Sequence, residues 1–403
     1  EMKERKLSKK KSQQILATLV MGMNLVNSMA PMAVAMQKLP AEGELQVEPA
    51  KSEAKPLEYT VLPQMLDFVD NVVFGKAEAR VYDVGSGETR SVANLISGDF
   101  MRVSFGGIGI ADIMGAYGSM CISSGGTGII STVSGGLQHI SSGGTSIVDI
   151  ASAGAYYIDS RAIGTVSMMY SGLQFVSGGG TGTISTMSGG VQDILSGGEG
   201  TVSTMSGGTQ DIYSGGTGTV DTMSSGYQFV FNEGTAYIDT LNDGYQTLSG
   251  GTGAVNIMND GHQNIYSGGT GNVSIISGGT QNVYNSGIIN MMSGGTQNIF
   301  SGGTGIVSNM DNGNQFTLDS GIGIIEVMNN GYQTISSGGT GTVSNMNGGH
   351  QHIYSAGTAV DTIMNDGHQF IYNNAAALNT TINGGTAVML GELAIVEDVT
   401  MTG

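Results

Sequence analysis

Apolar and polar positions recur along this chain with a period of about 18 residues. Glutamine marks the repeat, and in most units an aliphatic residue follows it two positions later. Residues two apart share one face of a strand, so the pair predicts a repeated inward-facing stretch of β-structure. The glutamines are Gln138, Gln174, Gln192, Gln210, Gln228, Gln246, Gln263, Gln281, Gln297, Gln315, Gln333, Gln351 and Gln369, and Tyr156 occupies the position in the one unit that is skipped.

The unit at residues 196–213 contains two halves, and each half begins with Ser-Gly-Gly. Glycine supplies the positive φ that tight turns need, and the β-branched residues between the glycines favour extended strands. A fixed period of this size is typical of stacked coils rather than of one globular core. The sequence therefore predicts an all-β fold, a parallel β-helix or β-solenoid of about 18-residue coils, with like residues stacked at about 4.8 Å.

The first half of each unit adds an aliphatic position and, three residues later, a methionine, as in Val202 and Met205. A spacing of three breaks the alternation of a flat strand. A bend or bulge between the two positions would let both side chains face inward. We therefore interpret most of the 24 methionines as core residues.

Two further columns follow from in-register stacking. Stacked glutamines can hydrogen-bond amide to amide, so we interpret the column from Gln192 to Gln369 as a structural ladder. An aromatic column lies three residues after the glutamine, which places it on the opposite face. It is either a stiffening stack or an exposed adhesive patch. Its members are Tyr213, Phe231, Tyr266, Tyr284, Phe300, Tyr354 and Tyr372.

The N-terminal region differs in composition from the repeats. Basic residues precede an apolar stretch at residues 15–29, and Ala33 and Ala35 fit the small-x-small rule for cleavage before Met36. We expect residues 1–35 to be a signal peptide, residues 36–59 a flexible linker, residues 60–104 an N-terminal cap and residues 105–403 the solenoid repeats. No later segment has 18 consecutive apolar residues, so we expect no transmembrane helix in the mature chain.

Charge excludes one class of partner. The last basic residue is Arg161, and 16 Asp and Glu residues follow it. Nucleic-acid binding needs Lys and Arg to neutralise phosphates, so the repeats are not expected to bind nucleic acid. An acidic rod also repels its copies and stays in solution.

The sequence offers no convincing catalytic or metal site. Gly-Gly-x-Gly runs suggest a calcium-binding roll, but valine (Val202, Val220, Val307) occupies the position where calcium needs an oxygen ligand. The histidines form no closed ligand set, although His350 and His368 share one slot. The acids are scattered and do not indicate a catalytic pair. We expect no catalytic residue, no cofactor and no bound metal.

The run Ser-Gly-Gly-Thr-Gln-x-Ile/Val followed by Ser-Gly-Gly-Thr-Gly-x-Val, at residues 206–218 and 277–283, resembles the passenger repeat of AIDA-type autotransporter adhesins. The match covers roughly residues 105–390. The resemblance implies export to the surface of a Gram-negative-type bacterium, adhesion to host-cell glycans or proteins, self-association and biofilm formation. It also implies a C-terminal barrel, for which no alternating strands are present before Gly403, and O-glycosylation of repeat serines by a heptosyltransferase. Candidate acceptors are Ser203, Ser206 and Ser214.

Two alternatives to a secreted or surface-displayed adhesin stay open at this point. The first is a β-helix enzyme that processes polysaccharides, since the sequence alone does not exclude a pair of catalytic carboxylates. The second is a purely structural extracellular stalk. Turnover of polysaccharides would support the first alternative, and an absence of binding to cells or to sister rods would support the second.

Overall fold

A computed structural model describes residues 79–96 and 98–402 of the chain. The predicted signal peptide with Ala33, Ala35 and Met36, the predicted linker and the first part of the predicted cap lie outside the described residues. The described part forms about 18 turns of a parallel β-solenoid, which confirms the predicted fold class. In that part of the chain no helix is long and apolar enough to cross a membrane.

The described residues form 35 strands. The first seventeen are β1 (Val81–Val84), β2 (Thr89–Leu95), β3 (Phe100–Val103), β4 (Ile108–Met114), β5 (Ser119–Ile122), β6 (Thr127–Ile140), β7 (Thr145–Ile158), β8 (Ile163–Met169), β9 (Leu173–Val176), β10 (Thr181–Met187), β11 (Val191–Ile194), β12 (Glu199–Ile212), β13 (Thr217–Phe231), β14 (Thr235–Leu241), β15 (Tyr245–Ser249), β16 (Thr252–Met258) and β17 (His262–Ile265). The others are β18 (Thr270–Ile276), β19 (Thr280–Val283), β20 (Ser286–Met292), β21 (Thr296–Ile299), β22 (Thr304–Met310), β23 (Asn314–Thr317), β24 (Ile322–Met328), β25 (Tyr332–Ile335), β26 (Thr340–Met346), β27 (His350–Ile353), β28 (Thr358–Val360), β29 (Ile363–Met364), β30 (His368–Ile371), β31 (Ala376–Leu378), β32 (Thr381–Ile382), β33 (Thr386–Met389), β34 (Ile395–Glu397) and β35 (Thr400–Met401).

A typical coil contains one strand of seven residues and one of four, each paired with the same strand of the next coil. The seven-residue β10 pairs in parallel with the first half of β12, and the four-residue β11 pairs with its second half. Equivalent residues lie opposite each other, so Met187 faces Met205 and Gln192 faces Gln210. Parallel in-register pairing therefore converts the 18-residue period of the sequence into columns of like side chains.

The bend predicted within each long strand is present. Ser185 drops out of the pairing between β10 and β12, whereas the residues on either side of it stay paired. The side chains of Ile184 and Met187 are both fully buried, although they are three residues apart. The aliphatic and methionine columns therefore pack together in one continuous core that runs along the solenoid axis.

Coil pairing is already present inside the segment predicted as a cap. β1 pairs in parallel with β3, and β3 pairs with β5. Val84, Met101 and Val103 are buried and belong to the same core as the later repeats. The described coils therefore extend from Val81 to the last strand, although glycine is sparse before residue 105.

Candidate functional site

Each four-residue strand alternates between outward and inward side chains. In β11, Gln192 and Ile194 are buried, whereas Val191 and Asp193 are partly exposed. The glutamine amide occupies space left by a glycine in the next long strand, since a Cβ on Gly200 would lie 2.8 Å from Gln192 Oε1. The small residue in one strand thus makes room for the polar side chain in the other.

The buried glutamine amides form a continuous hydrogen-bonded row. Gln192 Nε2 donates to Gln174 Oε1 at 2.6 Å, and the same link repeats in every coil up to Gln369 at 2.7–2.8 Å. These side chains are 0–1% exposed. Each amide between Gln174 and Gln369 bonds to its neighbours on both sides, which satisfies buried polar groups that would otherwise be destabilising. The row joins the coils and leaves no surface for a ligand.

Tyr156 separates Gln138 from the row, so the row begins at Gln174. The tyrosine occupies the glutamine position between Gln138 and Gln174, and its ring is buried. Its hydroxyl and the Nε2 atom of Gln174 are buried without hydrogen-bond partners. Ala151 stands where most coils have methionine, and it is buried in the same core as the Tyr156 ring. The ladder is therefore continuous only from Gln174 onward.

The outward side of the four-residue strands is the candidate functional surface. We define the outer strip as the outward residues of eleven consecutive coils, from the coil of Gln192 to the coil of Gln369. In each coil these are the residues one before, one after and three after the glutamine. At about 4.8 Å per coil the strip is about 48 Å long, and at about 3.3 Å per residue it is about 13 Å wide.

Aromatic rings stack along the outer strip. The predicted aromatic column forms three groups, in which Tyr213 stacks on Phe231, Tyr284 stacks between Tyr266 and Phe300, and Tyr354 stacks on Tyr372. Their ring centroids are 4.4–5.3 Å apart. Tyr284 and Tyr354 are 39% and 40% exposed. The aromatic column is thus both stacked and partly exposed. The sequence alone left a stiffening stack and an exposed patch as alternatives.

The strip also contains rings outside the predicted column. Across one coil Tyr227, Phe229 and Phe231 lie side by side, and Tyr245 stacks on Tyr227 at 5.4 Å. A groove of about 340 Å³ lies beside Tyr227 and Tyr245, where the glycine corners of three coils line its floor. Sequence reasoning missed Tyr227, Phe229 and Tyr245, because aromatic residues occupy the positions next to the glutamine only in some coils.

Charge is almost absent from the strip. Among its thirty-three positions only Asp193 and Asp211 are acidic, and none is Lys or Arg. The other fourteen acidic residues after Arg161 lie outside it, and Asp221, Asp243 and Asp260 are among those exposed on other parts of the coils. The outer strip is therefore a largely uncharged face on an acidic rod.

The two aspartates lie at one end of the strip. Asp193 pairs with Asp211 in neighbouring strands, and their column continues to Phe175 on one side and Phe229 on the other. Burial raises the pKa of Asp193 to about 6. Burial, together with the neighbouring Asp193 carboxylate, raises the pKa of Asp211 to about 7. The Oδ1 atom of Asp211 is buried without a hydrogen-bond partner.

Three histidines lie at the opposite end of the strip. The rings of His350 and His368 stack at 5.3 Å, and His352 stacks on Phe370 at 4.8 Å. His352 Nδ1 lies 3.3 Å from the Tyr372 hydroxyl. Burial, with a contribution from His350, lowers the pKa of His352. Among residues 79–96 and 98–402, no three His, Cys, Asp or Glu side chains are grouped to hold a metal ion.

One ion pair lies on the same outward side, just before the strip. His139 Nε2 is 3.2 Å from Asp159 Oδ2. The hydrogen bond with Asp159 raises the pKa of His139 to about 9, and the hydrogen bond with His139 lowers the pKa of Asp159. Such a pair contributes its full stabilisation when the pH lies between the ordinary pKa values of Asp and His. Its contribution is lost as the pH rises through about 9 or falls through the lowered pKa of Asp159.

We therefore expect His139→Gln to reduce the free energy of unfolding by about 1–2 kcal/mol at pH 6 and by much less at pH 10. Urea unfolding at both pH values measures the difference. His262→Gln, at a ring that stacks on Tyr245, is the matched control for the loss of an outward histidine ring. A loss of equal size at pH 6 and pH 10 would assign the effect of His139→Gln to packing instead of charge.

The candidate acceptor serines occupy different environments. Ser206 is exposed at the register shift within β12 and Ser214 is exposed in the turn after that strand, whereas Ser203 is partly buried at the bend. Ser206 Oγ lies 3.4 Å from Ser188 Oγ of the preceding coil, and Ser214 Oγ lies 3.5 Å from Glu233 Oε2. Ser206 and Ser214 therefore present their hydroxyls to solvent.

Comparison with protein-family models finds no match for this chain, and neither does comparison with curated proteins. Among solved structures, the chain is similar to the crystal structure of a TibA fragment hyper-glycosylated in a TibC-catalysed reaction. The identity is 20% and the TM-score 0.30, over 79% of this chain and 95% of that one.

Proposed function

We propose that this chain is an adhesive rod, secreted or displayed on the bacterial surface, that binds other surfaces through its outer strip. The observation that supports the proposal is the contrast between this strip and the rest of the rod. The strip carries stacked, partly exposed rings and only two carboxylates, whereas acidic residues are spread over the other sides. Exposed apolar surface of this extent commonly marks an interaction site.

The two surfaces have complementary roles in this proposal. Acidic sides repel one another, which keeps rods in solution and disfavours contact except through the strip. Tyrosine and phenylalanine rings provide rigid contact area and lose little conformational entropy on binding. Host-cell glycans or proteins and sister rods are the partners that we propose. The stiff glutamine ladder behind the strip holds its rings in a fixed arrangement.

Glycosylation belongs to the same proposal. The repeat resembles that of adhesins modified on serine, so we propose the exposed Ser206 and Ser214 as better acceptors for a heptosyltransferase than the partly buried Ser203. Sugars at these turns would border the strip without covering its rings. They would also add polar bulk to the sides that carry the acidic residues.

Replacing Tyr213, Tyr266 and Tyr284 together by serine tests the adhesive function. Each lost ring removes a stacking contact of about 0.5–1.5 kcal/mol, so the rod stays folded. Buried tyrosines at interfaces commonly contribute about 2 kcal/mol or more to binding, so adhesion to epithelial cells and cell clumping should fall by at least about tenfold. Binding of purified rods to cells and to immobilised rods measures the effect, and circular dichroism checks the fold.

Tyr237→Ser is the matched control, because Tyr237 is 40% exposed but lies on the long strand β14, outside the strip. Adhesion of the control should equal that of the unmodified protein. Unchanged clumping and adhesion of the triple variant would refute the proposal. Absence of binding by the unmodified rod would favour a structural stalk, and polysaccharide turnover that Asp211→Asn abolishes would favour an enzyme.

A further inference from the structure

The cysteine of this chain lies in a column of titratable side chains on the outward side of the coils before the outer strip. Cys121 is the only cysteine in the sequence, and its thiol is partly exposed and not part of a disulfide. Strand pairing places Arg102 of β3 on one side of it and His139 of β6 on the other. Tyr157 of β7 continues the column beyond His139. The register therefore brings a guanidinium, a thiol and an imidazole together in successive coils, at a spacing of about 4.8 Å.

His139 links this thiol to a carboxylate. Its Nε2 atom lies 3.2 Å from Asp159 Oδ2 in the following coil, and its ring also hydrogen-bonds to the Cys121 side chain. The contact with Asp159, and after it the contact with Cys121, raises the pKa of His139 to about 9. The imidazole is therefore positively charged at neutral pH and lies between a sulfur and a carboxylate. Proteins activate a thiol by such an arrangement, in which a third group orients the base that contacts the nucleophile.

Asp159 is well placed to hold the imidazole in this position. The hydrogen bond with His139 lowers the pKa of Asp159, with a smaller contribution from Ser160, although partial burial opposes both effects. The side chains of His139 and Asp159 are only 17% and 25% exposed. Asp159 Oδ1 is buried without a hydrogen-bond partner, so the carboxylate makes its close polar contact through Oδ2. Its negative charge therefore acts mainly on the imidazole.

The other charged groups of the column leave the sulfur between two positive neighbours. Arg102 lies in the coil before Cys121, and its Nη1 atom is 3.5 Å from Asp83 Oδ1, with both side chains more than half exposed. His139 lies in the coil after it. A thiolate is stabilised by positive charge close to it. The titratable or charged groups around Cys121 in this column and the adjoining turn are Asp83, Arg102, His139, Tyr157, Asp159 and Arg161.

The surroundings of Cys121 favour exchange with a disulfide over other thiol chemistry. β5 is paired with β3 on one side and with β6 on the other, so its N–H groups are used in the ladders and do not form an oxyanion hole for acyl transfer. Cys121, His139 and Asp159 belong to the described residues and are not grouped to hold a metal ion. Thiol–disulfide exchange needs only a thiolate and a proton for the leaving sulfur, and an imidazolium can supply that proton.

We propose that Cys121 is a thiolation site that exchanges with low-molecular-weight disulfides, with His139 as the proton donor and Asp159 as the residue that positions it. The thiolate sulfur of Cys121 attacks one sulfur of the disulfide, so that a new S–S bond forms while the original one breaks. The departing sulfur keeps the electron pair of the broken bond and takes the proton of the His139 imidazolium. The products are a mixed disulfide on the rod and one small thiol, and no further oxidant is needed.

A small partner fits this site because the sulfur is only partly exposed between two coils. The side chains of Arg102 and His139 flank it along the axis, which leaves limited access for a disulfide held within a folded protein. The same exchange runs in reverse with an excess of small thiol. The site would therefore attach a small thiol to the rod reversibly.

The rate of exchange tests the proposal. Asn264→Cys in a Cys121→Ser background is the matched control, since it places a thiol in the same column beside the uncharged Thr247 and Asn282. With dithiobis-nitrobenzoate, a disulfide that releases a coloured thiolate, the unmodified chain should react at least about tenfold faster than this control at pH 7. By pH 10, above the pKa of about 9 of His139, this advantage should disappear. Equal rates at pH 7 would overturn the proposal.

Substitution of the two neighbours tests their roles. His139→Gln should bring the rate at pH 7 to within about threefold of the Asn264→Cys control. Asp159→Asn removes the main cause of the raised pKa of His139, so the advantage over the control should be lost near about pH 7 instead of about pH 9. Asp149→Asn, exposed on the long part of β7, should change neither value. An unchanged rate in His139→Gln, or an unchanged pH profile in Asp159→Asn, would overturn the proposal, and circular dichroism checks that each variant is folded.

Mass spectrometry identifies the product. Incubation of the full chain with oxidised glutathione at pH 7 should add one glutathione, and dithiothreitol should remove it. Cys121→Ser should gain no adduct. Absence of the adduct on the unmodified chain, or an adduct that dithiothreitol does not remove, would overturn the proposal.

Discussion

Gly313→Ala is expected to reduce the free energy of unfolding by about 3–5 kcal/mol, whereas Gly302→Ala should cost about 1 kcal/mol. Gly313 has a φ of +106°, outside the left-handed region that other residues reach at moderate cost. A Cβ at this position would lie 2.9 Å from the carbonyl oxygen of Gly294 and 2.9 Å from the Met292 side chain. Unfolding by urea or heat, compared between the two variants, measures the difference.

Gly302 is a suitable control because its φ is also positive but its surroundings are open. Its φ is +79°, and nothing lies within 4 Å of a Cβ built on it. It belongs to the turn after the short strand, where Ser142, Asp319 and Ala356 also adopt positive φ. Equal destabilisation by the two substitutions would show that φ alone, and not contact with the preceding coil, makes glycine necessary at residue 313.

Gly313 lies at the corner before the short strand, and the crowding there explains why glycine recurs at this position in every coil. Two residues before each glutamine position, every coil from Gly136 to Gly385 has a glycine with positive φ. At most of these corners a Cβ would approach a backbone atom of the coil below, because successive corners stack at the strand spacing. The sequence alone indicates a turn there, but it does not distinguish this crowded corner from the open one.

The fold could be predicted because its determinants repeat. Inward positions carry the same side chain in coil after coil, since parallel pairing places like on like and the core tolerates few alternatives. The repeat predicts that Val202, Met205 and Ile212 face inward, and all three are buried. The bend between Val202 and Met205 followed from their spacing of three residues.

The outer strip was harder to predict because its informative residues do not repeat. Asp211 and His352 occupy one column, but nothing in a single unit connects them. Only the register of the stacked strands shows that both residues lie on the same outward face of the solenoid. The residues one past each glutamine were visible in the sequence, but a search for repeated residues passes over a column whose side chains change from coil to coil.

Gln281→Glu is expected to destabilise the solenoid by about 4 kcal/mol or more at pH 7 and by much less at pH 4. Gln281 is fully buried, donates to Gln263 Oε1 at 2.7 Å and accepts from Gln297 Nε2 at 2.7 Å. An ionised carboxylate here could still accept from Gln297 but would oppose the oxygen of Gln263. The sequence has no Lys or Arg after Arg161 to compensate the charge.

The pH dependence follows from the protonated form of the variant. A neutral carboxylic acid can donate to Gln263 Oε1 and accept from Gln297, which restores both links of the ladder. Burial therefore raises the pKa of the introduced carboxyl above its ordinary value of about 4.3. Because the folded-state pKa is raised, stability is highest below about pH 4.3 and falls as the pH rises toward the folded-state pKa.

Gln281→Met separates the loss of the hydrogen bonds from the burial of charge. Its side chain has a similar length but leaves Gln263 Oε1 and one donor of Gln297 unpaired, at a cost of about 2–4 kcal/mol that should not change between pH 4 and pH 7. Urea unfolding of both variants at the two pH values provides the comparison. If Gln281→Glu were no less stable at pH 7 than at pH 4, water would have to reach residue 281, and the glutamine row would not be the dry connection between coils that its buried amides indicate.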